Sequence, residues 1–314
     1  MSLHKEQKKI FSSENDEINL RELFLLLWNQ KFLIVSITAL AAIISVYYAL
    51  SIPNVYRSQA LIIPVEKNGS MSSSLGGLSS LAGIAGISLP GSGSSSKDEA
   101  LAILNTYQFL EKFIIKHDLL VPLMASTGWD KDRNILLINS KVYDEDNKKW
   151  VVKKQTSNGK PSLQEAVRVF KTKVAAKLDK KNGYVTIHVD SYSPYVAKKW
   201  VDWLIEDINE HMRMDEVSRS MKSLEYLNDQ VSKTNFTEIK NVLSELIKSE
   251  TQTIMLSKSS PEYMFKTIDR AIVPEFKLSP KRSIICIVGT LLGGFLALIL
   301  ALFRGYFRKT IQAV

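Results

Sequence analysis

Two membrane-length apolar stretches stand near the ends of this chain, with a long polar segment between them. Phe32–Leu50 reads FLIVSITALAAIISVYYAL and Ile284–Phe303 reads IICIVGTLLGGFLALILALF, without a charged residue in either. A helix rises ~1.5 Å per residue, so about 20 apolar residues cross a ~30 Å hydrocarbon core. If both cross, everything between them lies on one side of the membrane and both tails lie on the other. Lys31 before the first stretch and Arg304, Arg308 and Lys309 after the second put the tails in the cytoplasm. Lys281 and Arg282 argue the other way, but a long translocated domain escapes the rule. In a bacterium the middle domain is then periplasmic. The first stretch is long for a signal peptide, and no A-x-A cleavage pattern follows before Pro53, so it reads as a retained anchor.

Charge and cysteine narrow the partners. The net charge is +9, of which residues 53–283 hold +6, with 33 Lys and Arg against 27 Asp and Glu. That excess is dispersed, which fits a solvated surface and argues against a nucleic-acid stripe. Cys286 is the only cysteine, so no intrachain disulfide forms.

Periodicity gives the elements between the stretches. Asn15–Lys31 reads as an amphipathic helix at the cytoplasmic interface running into the first span, or as a plain extension of it. Tyr56–Val65 is β-branched and apolar and reads as a strand. Residues 68–96 are rich in Gly and Ser, yet Leu75, Leu78, Leu81, Ile84 and Ile87 recur every three positions. This segment is either a loop or a stretch that packs on a neighbour or the membrane surface. Lys97–His117 reads as one helix, Trp129–Lys160 as weak strand or loop, and Leu163–Leu178 as a helix capped by Ser162. Residues 180–183 (KKNG) form a turn and Tyr184–Asp190 alternates as a strand. Pro194, a favoured first-turn residue, opens a helix that runs to about Lys233. A second helix covers about Phe236–Leu256, and Tyr263–Val273 reads as a returning strand.

The expected fold is therefore an α+β membrane protein. Two transmembrane helices flank a periplasmic α/β base domain with a long protruding helical hairpin. The expected organisation is a tail over 1–31, a span over 32–51, a periplasmic domain over 52–283, a span over 284–303 and a tail over 304–314. The hairpin occupies about 194–258, and the first and last strands share one sheet.

There is no G-x-x-x-x-G-K-[ST] phosphate loop, no G-x-S-x-G and no C-x-x-C or H-x-x-x-H spacing. No catalytic, cofactor-binding or metal-binding residue is expected. His188 sits among polar neighbours on its strand and reads as a surface residue. Asp202, Glu206, Asp207 and Glu210 form a carboxylate cluster on the hairpin, and a solvated helix face explains it better than acid–base chemistry. The second stretch holds Gly289 and Gly293 as G-x-x-x-G, with Gly294 beside it. Small residues at that spacing let helix backbones approach in lipid, either toward the first span or toward a neighbouring subunit.

Several passages carry a resemblance. They are INLRELFLLLWNQKFLI, YRSQALIIP, MKSLEYLNDQVSKTN and EYMFKTIDRAIVPEFKLSPKRSIICIVGTLLGGFLALI. With Asp269, Pro274, Pro280, Lys281, Arg282 and Gly289–Gly294, they resemble the polysaccharide co-polymerase family, more narrowly its Wzz-type O-antigen chain-length determinants. Relatives tend to have more prolines before the last span than Pro274 and Pro280. The resemblance implies a protein without catalytic activity of its own, assembled as a homo-oligomer ring in the bacterial inner membrane. It implies as partners a separate inner-membrane polysaccharide polymerase and the growing lipid-linked polysaccharide, and as function the setting of modal polymer length. Larger relatives carry a cytoplasmic kinase domain, for which the eleven residues after Phe303 leave no room. The competing reading is a component of capsule or exopolysaccharide export, which shares the two-span plan. That class usually needs a longer hairpin than the ~35 Å available beyond Arg213. An anchored sensor or enzyme would need a pocket or an output domain.

Overall fold

A computed structural model describes residues 27, 28, 30–65, 96–151 and 159–312. Most of the N-terminal tail with its expected interfacial helix, and the Gly/Ser segment over 68–95, lie outside the described residues. The chain divides into two compact units, one of residues 1–52 and 280–314 and the other Pro53–Ser279.

The first unit is a pair of helices. Helix α1 spans Lys31–Ser51 and helix α8 spans Arg282–Gln312, longer than the expected 284–303. Each has a stretch apolar and long enough to cross a membrane, and 11% and 17% of those stretches are buried. A core helix of a soluble protein would be covered by its own chain; these present their apolar residues outward.

The second unit rests on a four-stranded sheet, ordered β6-β7-β1-β8 and antiparallel throughout. Strand β1 is Tyr56–Pro64, β6 is Val174–Leu178, β7 is Val185–Ser191 and β8 is Phe265–Asp269. Period-two alternation sends Ala60, Ile62, Val185, Ile187 and Val189 to one face, where all are buried. Helices cover that face: α2 (Ser96–Leu104), α3 (Tyr107–Lys116), α4 (Leu120–Met124), α5 (Leu163–Lys173) and the start of α6 (Pro194–Lys233) contribute to one core. Phe113, Phe170 and Trp200 meet across its centre, the first pair tilted and the second edge to face, with ring centroids 5.3 and 5.7 Å apart. Two small hairpins, β2 (Ser126–Asp130) with β3 (Ile135–Ile138) and β4 (Tyr143–Asp144) with β5 (Lys149–Trp150), occupy the turn-rich stretch.

Within the second unit, three boundaries differ most from the sequence expectation. The helix over Lys97–His117 is two, because Asn105 and Thr106 interrupt it. The Thr106 hydroxyl accepts from the Phe109 amide at 3.3 Å and starts α3 afresh. The helix over Leu163–Leu178 ends at Lys173, and its last five residues become β6. Ala and Lys favour a helix, but β7 has an edge to fill, and register from Val174 to Leu178 along Val189 to Val185 fills it. Gly183, at φ 73°, closes the turn between them. The last strand is shorter than Tyr263–Val273, since after Asp269 the chain leaves the sheet. There the buried Ser58 hydroxyl donates to the Ile272 carbonyl at 2.7 Å.

Helix α6 and α7 (Thr237–Ser259) form the hairpin. The Ser193 hydroxyl caps α6 by accepting from Val196 N at 3.4 Å, and Pro194 follows in its first turn. At 40 residues α6 is ~60 Å long. Its first half belongs to the core, with Ala197, Val201, Leu204, Ile208 and Met212 buried. Beyond Met212 only Ser220 and Leu227 of α6 are buried, and in α7 only Ser257.

Candidate functional site

No group of three or more His, Cys, Asp or Glu residues that could hold a metal occurs among the described residues. What the sequence arranges instead is a close helix pair in one unit, and a tied-down helix root in the other.

In the helix pair, Gly289 faces Ser45 and Gly293 faces Ala41. A Cβ at Gly289 would stand 2.6 Å from the Ser45 Cβ, and one at Gly293 would overlap the Ala41 side chain. Gly294 sits farther out, with Thr38 at 3.7 Å. The glycines therefore face the first helix of the same chain. Two polar contacts lock the approach: Ser45 Oγ donates to the Ile285 carbonyl at 2.9 Å, and Arg282 Nε donates to the Ala49 carbonyl at 3.2 Å. The second also satisfies a carbonyl that the end of α1 leaves without a partner. A groove of about 650 Å³ runs beside the contact, lined by Ala41, Ile44, Tyr48, Val288 and Leu292 among others.

The carboxylate cluster is not one solvated face. Asp207 is buried, with its side chain 8% exposed, and holds Lys116 Nζ at 2.8 Å and His117 Nε2 at 2.9 Å. Burial of the α6 face at this point draws Asp207 inward, and the C-terminus of α3 brings it partners. Glu210 takes the same Lys116 at 2.8 Å, which holds the Glu210 carboxyl below the usual carboxylate range. Hydrogen bonds from Lys116 to Asp207 and then Glu210 raise the pKa of that ammonium. The His117 ring lies flat on Trp203, with centroids 4.0 Å apart. Asp202 pairs with Lys198 one turn away. These contacts fix α3 to α6; they build no cleft with paired acid and base.

Asn209, which sequence reasoning passed over, performs the neighbouring tie. It is 3% exposed. Its Oδ1 accepts from Met264 N at 2.9 Å and Phe265 N at 2.8 Å, and its Nδ2 donates to the Phe265 carbonyl at 3.0 Å. The returning chain is thereby clamped to α6 where β8 begins. The signal was present, since Asn209 is a polar residue flanked by Ile205, Ile208 and Met212 on the apolar stripe.

On the outer face of the sheet Arg57 lies opposite Asp190 and binds it with two bonds, at 2.6 and 2.7 Å. His188, expected at the surface, is half-buried there, and burial and then Arg57 push its pKa down, with Asp190 opposing.

The remaining sequence candidates lie along the route between the hairpin and α8. Asp269 ends β8, opposite Leu61 and exposed. Pro274 is half-buried, Pro280 is buried and Lys281 is exposed. Asp269 and Pro274 belong to the second unit, and Pro280, Lys281 and Arg282 to the first.

Residues 16–117 match the family described as Wzz, chain length determinant protein. Over those residues the chain is similar to the Wzz type. A comparison with curated protein sequences gives no match. Among solved structures, one described as a full-length bacterial polysaccharide co-polymerase is 12% identical, with a TM-score of 0.42. The alignment covers 92% of this chain and 98% of that one. A fragment of WzzB, a polysaccharide co-polymerase from Salmonella Typhimurium, is also 12% identical, with a TM-score of 0.28. There the coverage is 72% of this chain and 100% of the fragment. The family is one of polysaccharide chain-length regulators, and the two apolar helices fit an inner-membrane protein.

Proposed function

We propose that this Wzz-type chain is a non-enzymatic regulator that sets the modal length of lipopolysaccharide O-antigen or a related surface polysaccharide. A separate inner-membrane polymerase makes the polymer from lipid-linked repeat units. Both termini lie in the cytoplasm and residues 52–283 in the periplasm, a reading supported by the basic residues Lys31, Arg304, Arg308 and Lys309. The observation that carries the reading is the family match over residues 16–117, which covers the first span and the first strand. The hairpin supports it. Phe236, Ile239, Val242, Met255 and Leu256 are exposed apolar residues on α7 or at its start. In a homo-oligomer ring they would be covered by the next subunit. A ring of such hairpins is a wall of set height rather than a pocket. Gly289, Gly293 and Gly294 then hold each subunit's two spans together, and Asp269, Pro274, Pro280, Lys281 and Arg282 shape the passage from the domain to the second span.

The test is deletion of the gene in its host, with the surface polysaccharide run on a gel. Loss of the modal cluster of bands, with polymer still exported, is the expected result. Complete loss of surface polymer would instead make the chain an export component. Unchanged polymer would overturn both. Gly293→Leu tests the span pair within the full-length protein: the side chain has no room beside Ala41, and the assembly is expected to elute as smaller species from detergent. An unchanged elution profile would remove the glycines from the account.

A further inference from the structure

We propose that the loop Ile272–Leu278 is a membrane-surface anchor. Phe276 inserts among acyl chains just below the headgroups, and Lys277 and Lys281 bind anionic lipid phosphates. The inference rests on the reading of α8 as a membrane span. Phe276 is 84% exposed, the highest value among the exposed large hydrophobic residues described. Ile272 and Leu278 beside it are exposed as well. Scattered apolar residues on a surface mean little, but three within seven positions form a patch that water covers poorly. The loop is held at both ends. Ser58 Oγ donates to the Ile272 carbonyl at 2.7 Å, and Leu278 N donates to the Val55 carbonyl at 2.8 Å. Val55 N in turn donates to the Ser279 carbonyl at 2.9 Å. Phe276 is therefore presented by a short, tied loop.

Chain length and charge decide what covers it. Phe276 precedes Arg282, the first residue of α8, by six positions, which span at most about 20 Å. The patch is therefore tethered within reach of the headgroup layer. From Arg270 to Lys281 three basic residues, Arg270, Lys277 and Lys281, stand against Glu275 alone. An aromatic side chain followed by two lysines within five positions, with one glutamate before it, is a net-basic composition that binds an anionic interface, with the ring ~5–10 Å into the headgroup and acyl boundary.

The test uses the full-length protein in nanodiscs of phosphatidylethanolamine and phosphatidylglycerol. Cys286, the only cysteine, is replaced by Ala, and a nitroxide is placed through Phe276→Cys. Accessibility to oxygen, which partitions into lipid, is compared with accessibility to a water-soluble nickel chelate. The expected result is oxygen-dominated relaxation at a depth of about 5 Å or more. The depth should become shallower when Lys277→Glu and Lys281→Glu are added, or when phosphatidylglycerol is omitted. Chelate access as high as at Lys222→Cys, an exposed hairpin position, would overturn the proposal. So would exclusion of both reagents, which would mean that protein covers the loop. A label at Leu292→Cys separates the two layers of the argument. If it reports lipid while position 276 reports water, the span stands and the anchor falls. If it reports water, the span itself is wrong.

Discussion

The two halves of α6 share one helix and live in different physical surroundings. From Pro194 to Met212 the helix packs on the sheet, with ten of its residues buried. From Arg213 to Lys233 two are buried, and the helix meets α7. A buried apolar side chain contributes about 1.5–3 kcal/mol of transfer free energy, so stability is concentrated in the root. The far half is held by its packing against α7, by helix propensity and by local ion pairs such as Asp215–Arg219 and Asp229–Lys233. Pairs of that kind contribute about 0.3–0.5 kcal/mol each.

The sharpest way to break this contrast is to cut equivalent side chains from each half. Ile208→Ala, at a fully buried position, is expected to cost about 3–4 kcal/mol, and Leu227→Ala, 8% exposed in the far half, about 2 kcal/mol. Thermal unfolding of the full-length protein in detergent measures both. Equal losses would show the hairpin to be as firmly packed as the root. Asn209→Leu comes next. It keeps the branched shape, though with a larger side chain, but leaves the Met264 and Phe265 amides without their acceptor, at a cost of about 2–3 kcal/mol. Hydrogen exchange should show that loss first at β8. Asp207→Ala follows, at about 2 kcal/mol. It strands His117, which is nearly buried, while half-exposed Lys116 turns to Glu210 or water. If Asp207→Ala is neutral, the acidic patch is surface after all.

These residues also mark what the sequence could reveal. The Ser193–Pro194 start and the apolar spacing of α6 placed the start of the long helix at Pro194 and its end near Lys233, because caps and periodicity are local. The two apolar helices were legible from length alone. The fate of residues 174–178 was not, because the choice between helix and strand there depends on the open edge of β7, which no local pattern encodes. Asp207 misled for a related reason. A carboxylate cluster at i, i+4 spacing reads as solvated until α3 is known to bring Lys116 and His117 against it. In the helix pair, G-x-x-x-G pointed to close packing without naming the partner. Ser45 and Ala41 are small residues four apart on the other apolar stretch, a pattern that could have named it.

The smallest effect concerns acid. Burial and then Arg57 lower the pKa of His188, with Asp190 opposing. Two nearby groups are displaced as well: Arg57 upward by its hydrogen bonds to Asp190, and Lys173 downward by burial. As pH falls through the ordinary histidine range, the unfolded chain takes up a proton at position 188 that the folded chain resists. The unfolded state then binds more protons, and stability falls. The contribution is complete above about pH 7 and is lost on acidification toward pH 5. Glu210 adds a second loss only at lower pH, since its folded pKa lies below the carboxylate range. His188→Gln is expected to flatten the pH dependence of the melting temperature between about pH 7 and 5, and to leave its value above pH 7 nearly unchanged. The contrast between the halves returns here, because residues 213–259 contain no histidine. Acid-induced loss of amide protection in that range should therefore appear in the sheet and spare the far hairpin. Equal softening of both would mean that the root and the arm unfold as one cooperative body.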